Sequence, residues 1–429
     1  MVGLGEKGKF TADRARRAAA QGLRKARELK VKTAATALPD STLPVPEAAG
    51  ALAEGALLAL YSYHGQKSKE PDVPLPESLS LVAASEEDVA AAEGGVRTGI
   101  AVAEATCLTR DLVNLPPNVC TPAYLGEVAK KIGEEIELKV EVLERRQIEA
   151  LNMGALLGVA QGSETPPRFI ILEHNALRAD DLPTIVLVGK GITFDTGGYS
   201  IKSAENMVGM KSDMAGAAAV LGAMSAIGKL DVPLHVVGLV PAVENMISGR
   251  AYRPQDVLTA SNGVTIEVIS TDAEGRLILA DALVFASRYK PAAVVDIATL
   301  TGACVVALGS VAAGLFCTDD QLRDRVLAAA EYTGERVWPL PLFPEYDKLI
   351  ESQTADIKNS GGRYGGAATA AAFLRHFVDC PAWAHLDIAG MAGIDGMPAA
   401  GDDNPYIPTK GATGYGTRLL VDLLRRWEG

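Results

Sequence analysis

Long apolar runs are absent from this sequence. No run among its 429 residues approaches the roughly 20 residues that cross a lipid bilayer. The first residues, Met1 to Lys7, do not have the pattern of a signal peptide. We therefore expect a protein that is neither inserted in a membrane nor secreted.

Cysteine patterns typical of disulfides or metal sites are also missing. The chain has five cysteines, an odd count, and they are scattered without metal-ligand spacing. This distribution is typical of free thiols in a reducing compartment, so we expect a cytoplasmic protein. The five are Cys107, Cys120, Cys304, Cys317 and Cys380.

Basic charge is in deficit. The 41 lysines and arginines are outnumbered by 53 acidic residues, which gives a net charge of −12 and disfavours a dedicated nucleic-acid binder. One basic, helix-like stretch, residues 7–32, departs from this balance. It is either a patch for polyanions or a solvated helix face, and the solvated face is the simpler interpretation.

The composition that remains favours a large α/β protein. Hydrophobic residues make up 48% and charged residues 22% of the chain, enough apolar material for two cores at this length. Short apolar runs such as 184–190 alternate with helix-like segments, and we also expect a strand at Val305–Ala307. The pattern predicts a larger C-terminal domain, residues 111–429, with a mixed central sheet flanked by helices. A smaller α/β N-terminal domain, residues 1–110, would end in a long linking helix.

Candidate chemistry begins with Asp272, Glu274 and Arg276, where a strand-like run gives way to a helix-like run. If this segment is extended, side chains two residues apart share one face. Two carboxylates beside a guanidinium would then suit a divalent cation with an anion next to it. Alone, such a string is common, and a surface ion-pair cluster is the simpler interpretation.

Further polar residues occur at similar junctions. Lys190 ends a buried apolar strand, and a turn returns the chain to Asp195; Lys202 follows, and Asp213 precedes an alanine-rich helix. Each has a plain structural interpretation. A lysine at a strand end can extend its ammonium group to solvent, and an aspartate before a helix can be its N-cap.

Taken together, these stretches resemble the cytosolic leucine aminopeptidase family of dinuclear metal exopeptidases. The resemblance rests on VGKGITFDTGG, SIK, MKSDMAGAA and STDAEGRL, which occur in that order, and it extends from about residue 100 to the C-terminus. It implies a macro-like N-terminal domain. Because the chain starts at a point that the family reaches several tens of residues in, we expect that domain to be shortened. Two departures are Ser270, where the family usually has Asn, and Gln255, where it usually has Gly; we interpret the second as structural.

The resemblance implies a set of metal ligands. One divalent cation would be held by Asp195, Asp272 and Glu274, and the other by Lys190, Asp195, Asp213 and Glu274. The four carboxylates carry the negative charge that balances two divalent cations. All five histidines lie outside these motifs, so the site would be mainly oxygen-ligated and would suit Zn²⁺ or Mn²⁺, with Mg²⁺ also compatible.

The resemblance also implies an activity, the removal of leucine or another apolar residue from the free N-terminus of a peptide by a metal-activated water. Lys202 would polarise the carbonyl and stabilise the oxyanion, and Arg276 would anchor a bicarbonate that accepts the proton. The implied substrate-pocket residues are Met210, Thr299, Leu300, Thr301, Gly302 and Ala389.

The family forms homohexamers, so the resemblance implies the same assembly here. Two other functions stay open from the residues. One is a phosphatase-type two-metal hydrolase, since two cations could clamp a phosphoryl group. The other is a DNA-binding or assembly role, secondary to catalysis, through residues 7–32.

Overall fold

Helices and strands alternate along the computed structural model, which describes residues 3–4, 6–69, 75–393 and 404–427. The helices are α1 (Ala12–Glu28), α2 (Val45–Leu60), α3 (Glu86–Asn114), α4 (Pro122–Ile136), α5 (Arg145–Ala150), α6 (Gly154–Ala160), α7 (Ala204–Met207), α8 (Ala215–Lys229), α9 (Glu274–Ala286), α10 (Gly302–Leu308), α11 (Asp320–Thr333), α12 (Glu345–Lys348), α13 (Gly366–Arg375) and α14 (Thr417–Arg425). The strands are β1 (Thr33–Ala37), β2 (Ser78–Val82), β3 (Lys139–Leu143), β4 (Arg168–His174), β5 (Thr184–Gly189), β6 (Gly191–Asp195), β7 (His235–Asn245), β8 (Val257–Thr259), β9 (Thr265–Glu267), β10 (Ala293–Ala298), β11 (Ala313–Cys317), β12 (Val337–Pro339), β13 (Ile357–Lys358) and β14 (Trp383–Asp387).

A nine-stranded mixed sheet organises the larger part of the molecule, as the sequence predicted. Its order is β12-β11-β14-β10-β5-β7-β4-β3, with β6 paired to β7. The central strands β14, β10, β5 and β7 are parallel, whereas β3, β4 and β11 join in antiparallel pairs. The carboxyl ends of β14, β10, β5 and β7 therefore meet at one edge, where α/β proteins bind ligands.

Both faces of the sheet are covered, which explains why its strands are apolar throughout. Every residue of β5 is buried. Its side chains alternate between two cores: Ile185 and Leu187 belong to the core that includes α8 and α14, and Val186 and Val188 to the core that includes α9 and α13. A sheet buried on both faces gives continuous hydrophobic strands instead of alternating ones.

The N-terminal part is a smaller α/β unit. Strands β1 and β2 form a parallel pair, and α2 packs against both α1 and α3. Helix α3 is 29 residues long and also packs on α8, where the Thr109 hydroxyl donates to the carbonyl of Ala218 at 3.0 Å. The predicted limit between residues 110 and 111 lies inside this helix. Gly99 allows α2 and α3 to approach closely, since a Cβ there would lie 2.2 Å from the carbonyl oxygen of Gly50.

A buried ion-pair network joins the two parts. Arg16 of α1 pairs with Glu54 of α2 at 2.8 Å, and Arg418 of α14 lies 3.4 Å from both Glu54 and Glu335. Arg16 also donates to the carbonyl of Tyr332 at 2.8 Å. Removing one partner would leave an uncompensated buried charge, which is strongly destabilising. This network is why Arg16, although part of the basic stretch, is not available to a polyanion.

One predicted element was wrong. Residues Val305–Ala307 lie in helix α10, not in a strand. The Thr301 side chain caps this helix by accepting from the backbone N–H of Cys304 at 3.0 Å. A short apolar run is compatible with a strand and with a buried helix. At this position the N-cap favours the helix. The strand occurs afterwards, at β11.

Membrane-spanning helices are not found among the residues that the structure describes. All five cysteines are free thiols.

Gln255 has a left-handed backbone with a φ of +75°. This conformation explains why the family usually has glycine there, and it supports the interpretation of this departure as structural. A side chain with a Cβ costs about 1–2 kcal/mol in the left-handed region. The backbone N–H of Gln255 donates to the carbonyl of Val268 at 2.7 Å, and glycine would keep that bond.

We predict that Gln255→Gly raises the free energy of unfolding by about 0.5–1 kcal/mol. The strain relieved is partly offset by the greater freedom of glycine in the unfolded chain. Urea denaturation measures the change. Gln255→Ala is the control, because it keeps the Cβ and should bring no gain. Equal stabilisation by both changes would contradict the assignment of strain to this backbone.

Candidate metal centre

Six side chains predicted from the sequence meet at the carboxyl edge of the sheet. Lys190 follows β5, Asp195 ends β6, Asp213 precedes α8 and Glu274 begins α9. The remaining two, Asp272 and Lys202, lie in adjoining turns. The fold thus gathers four carboxylates and two lysines at the place where α/β proteins bind ligands.

Lys190 is enclosed by acceptors. Its Nζ lies 2.8 Å from Asp213 Oδ2 and 2.9 Å from Glu274 Oε1, and it donates to the carbonyl of Thr299 at 2.8 Å. Its side chain is only 3% exposed, so the interpretation as a lysine extending to solvent was wrong. Burial opposes the charge, but Asp213, Glu274 and Asp195 outweigh it and raise the pKa of Lys190 above its ordinary value.

Lys202 bridges the other two carboxylates. Its Nζ lies 2.8 Å from Asp195 Oδ2 and 2.5 Å from Asp272 Oδ1. Burial lowers and the nearby carboxylates raise the pKa of Lys202, and the net shift is upward. Each lysine therefore lies between two acidic side chains.

The carboxylates themselves form a tight, buried group. One oxygen from each of Asp195, Asp213 and Glu274 lies within 4.8 Å of the others. Burial raises the pKa of Asp213 well above its ordinary value, and burial followed by repulsion from Glu274 raises the pKa of Asp272 to about 6. Burial also opposes the charge on Glu274, yet the two lysines hold its pKa below the ordinary value.

One acceptor in this group has no donor. Glu274 Oε2 is buried and has no hydrogen-bond partner among the described residues. A buried carboxylate oxygen without a donor is costly unless a cation satisfies it. The donor set, consisting of carboxylate oxygens and one amine, suits a divalent cation. The residues present therefore fit a metal.

Gly275 makes room for Lys190. A Cβ at this position would lie 2.6 Å from Lys190 Cε, closer than side-chain contacts allow. The glycine in the sequence AEGRL thus permits the first turn of α9 to pass beside the lysine.

One geometric expectation from the sequence was wrong, and so was the alternative interpretation of Asp213 as an N-cap. Glu274 and Arg276 lie in the first turn of α9, not on an extended segment. Side chains two apart on a helix point about 200° apart. Arg276 accordingly donates to the carbonyl of Asn359 at 2.8 Å, and burial lowers its pKa to about 10. Asp213 is not an N-cap: Met214 occupies that position, and the Asp213 carboxylate accepts from the Thr299 hydroxyl at 2.8 Å.

Residues that sequence reasoning did not assign a role support the ligand candidates. Asn245, at the end of β7, donates to Asp195 Oδ1 at 2.7 Å and to the carbonyl of Thr271 at 2.9 Å. The Tyr252 hydroxyl donates to the same carbonyl at 2.9 Å. These contacts fix Asp195 and the turn before Asp272. The one signal of these supporting roles in the sequence is the position of Asn245 at the end of an apolar strand.

The predicted substrate-pocket residues lie in the segment before Asp213 and in the segments that follow β10 and β14. Thr299 contacts Lys190 and Asp213, as described above. Asp387, at the end of β14, holds two of these loops: its carboxylate accepts from the backbone N–H groups of Leu300, Thr301 and Ala389 at 3.2–3.3 Å. Met210 begins a 3-10 turn that ends just before Asp213. Gly302 begins α10, and a Cβ added there would have no neighbouring atom within 4 Å.

Comparison with known proteins places this chain in a family. The catalytic-domain model of the cytosol aminopeptidase family matches residues 107–421, and the model of its N-terminal domain matches residues 1–70. A probable cytosol aminopeptidase of Roseiflexus castenholzii is 49% identical over 100% of this chain and 86% of its own length. Another from Syntrophotalea carbinolica is 47% identical over 99% of this chain and 85% of its own.

Solved structures agree. The bottromycin maturation enzyme BotP in complex with Mn superposes with a TM-score of 0.88 at 40% identity, covering 99% of this chain and 89% of that one. A mutant of tomato leucine aminopeptidase superposes with a TM-score of 0.86 at 38% identity, covering 96% and 79%. The chain belongs to the cytosol aminopeptidase family. It is therefore a metal-dependent enzyme that removes N-terminal residues from peptides.

Proposed function

We propose that the buried group of Asp195, Asp213 and Glu274, with Lys190 among them, is the catalytic metal centre of this aminopeptidase. The observation that carries the proposal is the approach of three carboxylate oxygens to within 4.8 Å of one another. Like charges gathered this closely in a buried place are costly unless cations accompany them.

The centre we propose takes two divalent cations. Asp195, Asp272 and Glu274 would hold one, and Lys190, Asp195, Asp213 and Glu274 would hold the other. Manganese or zinc suits these donors, with magnesium also compatible, and the BotP structure with Mn supports the first. Lys190 can be a ligand only as the neutral amine, since an ammonium group has no lone pair to offer.

Two bound divalent cations supply a Lewis acid for the carbonyl of the substrate and a water of lowered pKa. The side chains of the chain do the rest. Lys202 directs its ammonium group into the centre and donates to the oxyanion that develops as the carbonyl is attacked. Arg276, buried and held by the carbonyl of Asn359, would anchor a bicarbonate that accepts a proton. Asp195, Asp213, Asp272 and Glu274 would all serve as metal ligands, so none of them would be free to accept that proton.

The substrate we propose is a peptide with a free N-terminus and an apolar first residue such as leucine. Met210, Thr299, Leu300, Thr301, Gly302 and Ala389 would line the pocket for that residue. Asp387 is the support for this lining, because its carboxylate fixes the backbone of three of these residues.

The two alternative functions receive no support from the comparisons. The family models and the relatives are aminopeptidases, not phosphatases. The basic stretch is partly engaged within the molecule, since Arg16 is buried against Glu54 and Arg17 pairs with Asp13 at 2.8 Å. With Lys25 paired to Glu28, three of the six cations of α1 are engaged by acidic partners within the molecule.

The substrate class is tested by comparing two chromogenic compounds. With Mn²⁺ or Zn²⁺ present, we expect hydrolysis of leucine p-nitroanilide and none of p-nitrophenyl phosphate. Chelation by EDTA should abolish the activity, and re-addition of the metal should restore it. Hydrolysis of the phosphate ester alone would contradict the proposal and favour the phosphatase alternative.

Lys190→Arg tests the ligand assignment. A guanidinium cannot deprotonate in proteins, so the variant would place a fixed positive charge against a dication. We expect the site that uses Asp213 to empty and the site that uses Asp272 to fill. Elemental analysis should then give about one metal per chain where the wild type gives about two, with activity largely lost. Two tightly bound metals in the variant would show that this lysine is only a neighbour of the centre.

Lys202→Ala is the matched contrast. This lysine also contacts two carboxylates, but it is not a proposed ligand. We expect both metals to remain bound while turnover falls roughly 10²–10³-fold, as for loss of one oxyanion donor. Loss of a metal from Lys202→Ala would reverse the roles proposed for the two lysines.

The remaining proposals concern assembly and organisation. We propose a homohexamer in the cytoplasm, on the strength of the family, with domain limits of 1–110 and 111–429. Light scattering on the purified protein should give the mass of six chains. A monomer at working concentration would refute the hexamer without bearing on the metal centre.

A further inference from the structure

A cavity lies between the N-terminal unit and the catalytic part. Its volume is about 590 Å³, which is within the usual range for small-molecule sites. The walls come from α1, the segment after α2, the end of α3, the 3-10 turn before Asp213 and residues 408–411. None of the proposed metal ligands lines it, so it is a separate site.

The lining is strongly basic. Arg24, Arg27, Lys211 and Lys410 all line the cavity, whereas none of its described lining residues is acidic. None of these four cations forms an ion pair within the described parts of the chain. In a protein with a net charge of −12, where most basic side chains can find an acidic partner, four such cations around one cavity are unusual.

The cations are held in place by the fold. Arg24 and Arg27 lie three residues apart on α1 and so project from neighbouring positions on one face. Arg24 is anchored by the carbonyl of Ile407, and Lys211 donates to the carbonyl of Asn114 at 2.7 Å. Burial and then the repulsion of Arg27 lower the pKa of Arg24, so the fold maintains a like-charge contact here. A bound anion would offset that repulsion.

Hydroxyl groups complete the lining. Tyr61, Ser62 and Tyr63 also face this cavity region. The Tyr63 hydroxyl is buried and has no hydrogen-bond partner among the described residues. The Tyr61 hydroxyl donates to the carboxylate of Asp111 at 2.8 Å. Asp111 does not line the cavity. An unpartnered hydroxyl beside several cations is the donor set that phosphate groups use.

We propose that this cavity binds a phosphoryl group carried by a small molecule or present as free phosphate. Four cations require an anion of more than one negative charge, which a phosphate monoester supplies and a single carboxylate does not. Its volume accommodates a group larger than phosphate alone. Because Lys211 belongs to the turn that leads to Asp213, occupation of the cavity bears directly on a segment of the metal centre.

Calorimetric titration of the metal-loaded enzyme tests this proposal, with inorganic phosphate and adenosine 5′-monophosphate as probes. We expect one binding event per chain that the double variant Arg24→Gln/Arg27→Gln weakens about tenfold or more, since two charge-assisted hydrogen bonds are lost. Tighter binding of the nucleotide would identify an organic phosphate as the ligand, and equal or tighter binding of phosphate would identify the free ion. A binding event at the metals would keep its affinity in the double variant, and this difference separates it from binding in the cavity.

The matched control is Lys25→Gln. Lys25 lies on the same helix but is exposed and paired with Glu28 at 2.7 Å, so its loss should change the affinity less than about twofold. Lys410→Gln is a second test on an exposed loop, where a folding defect is not expected, and it should weaken binding several-fold. Absence of binding to the wild type, or equal affinity in the wild type and the double variant, would overturn the proposal.

Discussion

The mutual repulsion of four carboxylates is the constraint on which the catalytic part depends. Asp195, Asp213 and Glu274 are buried together, with the more exposed Asp272 beside them, and like charges in a poorly solvated place oppose one another strongly. The two lysines divide this charge between them. Lys190 lies between Asp213 and Glu274, and Lys202 between Asp195 and Asp272. Such an arrangement persists only if rigid elements hold each group, and strand ends and a helix start provide them.

The sequence predicted the mixed sheet well because its strands are buried on both faces and appear as continuous apolar runs. The same criterion gave a wrong prediction at Val305–Ala307, where an equally apolar run belongs to a helix. Only the cap by Thr301 distinguishes the two, and its effect depends on backbone geometry that apolar periodicity does not reveal. Strand β11, which follows, was not predicted.

The composition of the site was predictable, but its geometry was not. The motifs identified the lysines and carboxylates that the fold brings together. The argument that placed Glu274 and Arg276 on one face assumed an extended segment, whereas the helix starts at Glu274 and turns the arginine towards Asn359. The supporting roles of Asn245 and Tyr252 depend on contacts between residues distant in the chain, which periodicity and spacing do not encode.

The buried charges at the junction of the two parts give that junction its own response to heat. Hydration of charged groups becomes less favourable as temperature rises, so the cost of removing Arg16, Glu54, Arg418 and Glu335 from water falls. Hydrophobic stabilisation reaches a plateau over the same range. The relative contribution of the network to holding α1 and α2 on the catalytic part therefore grows on warming and shrinks on cooling.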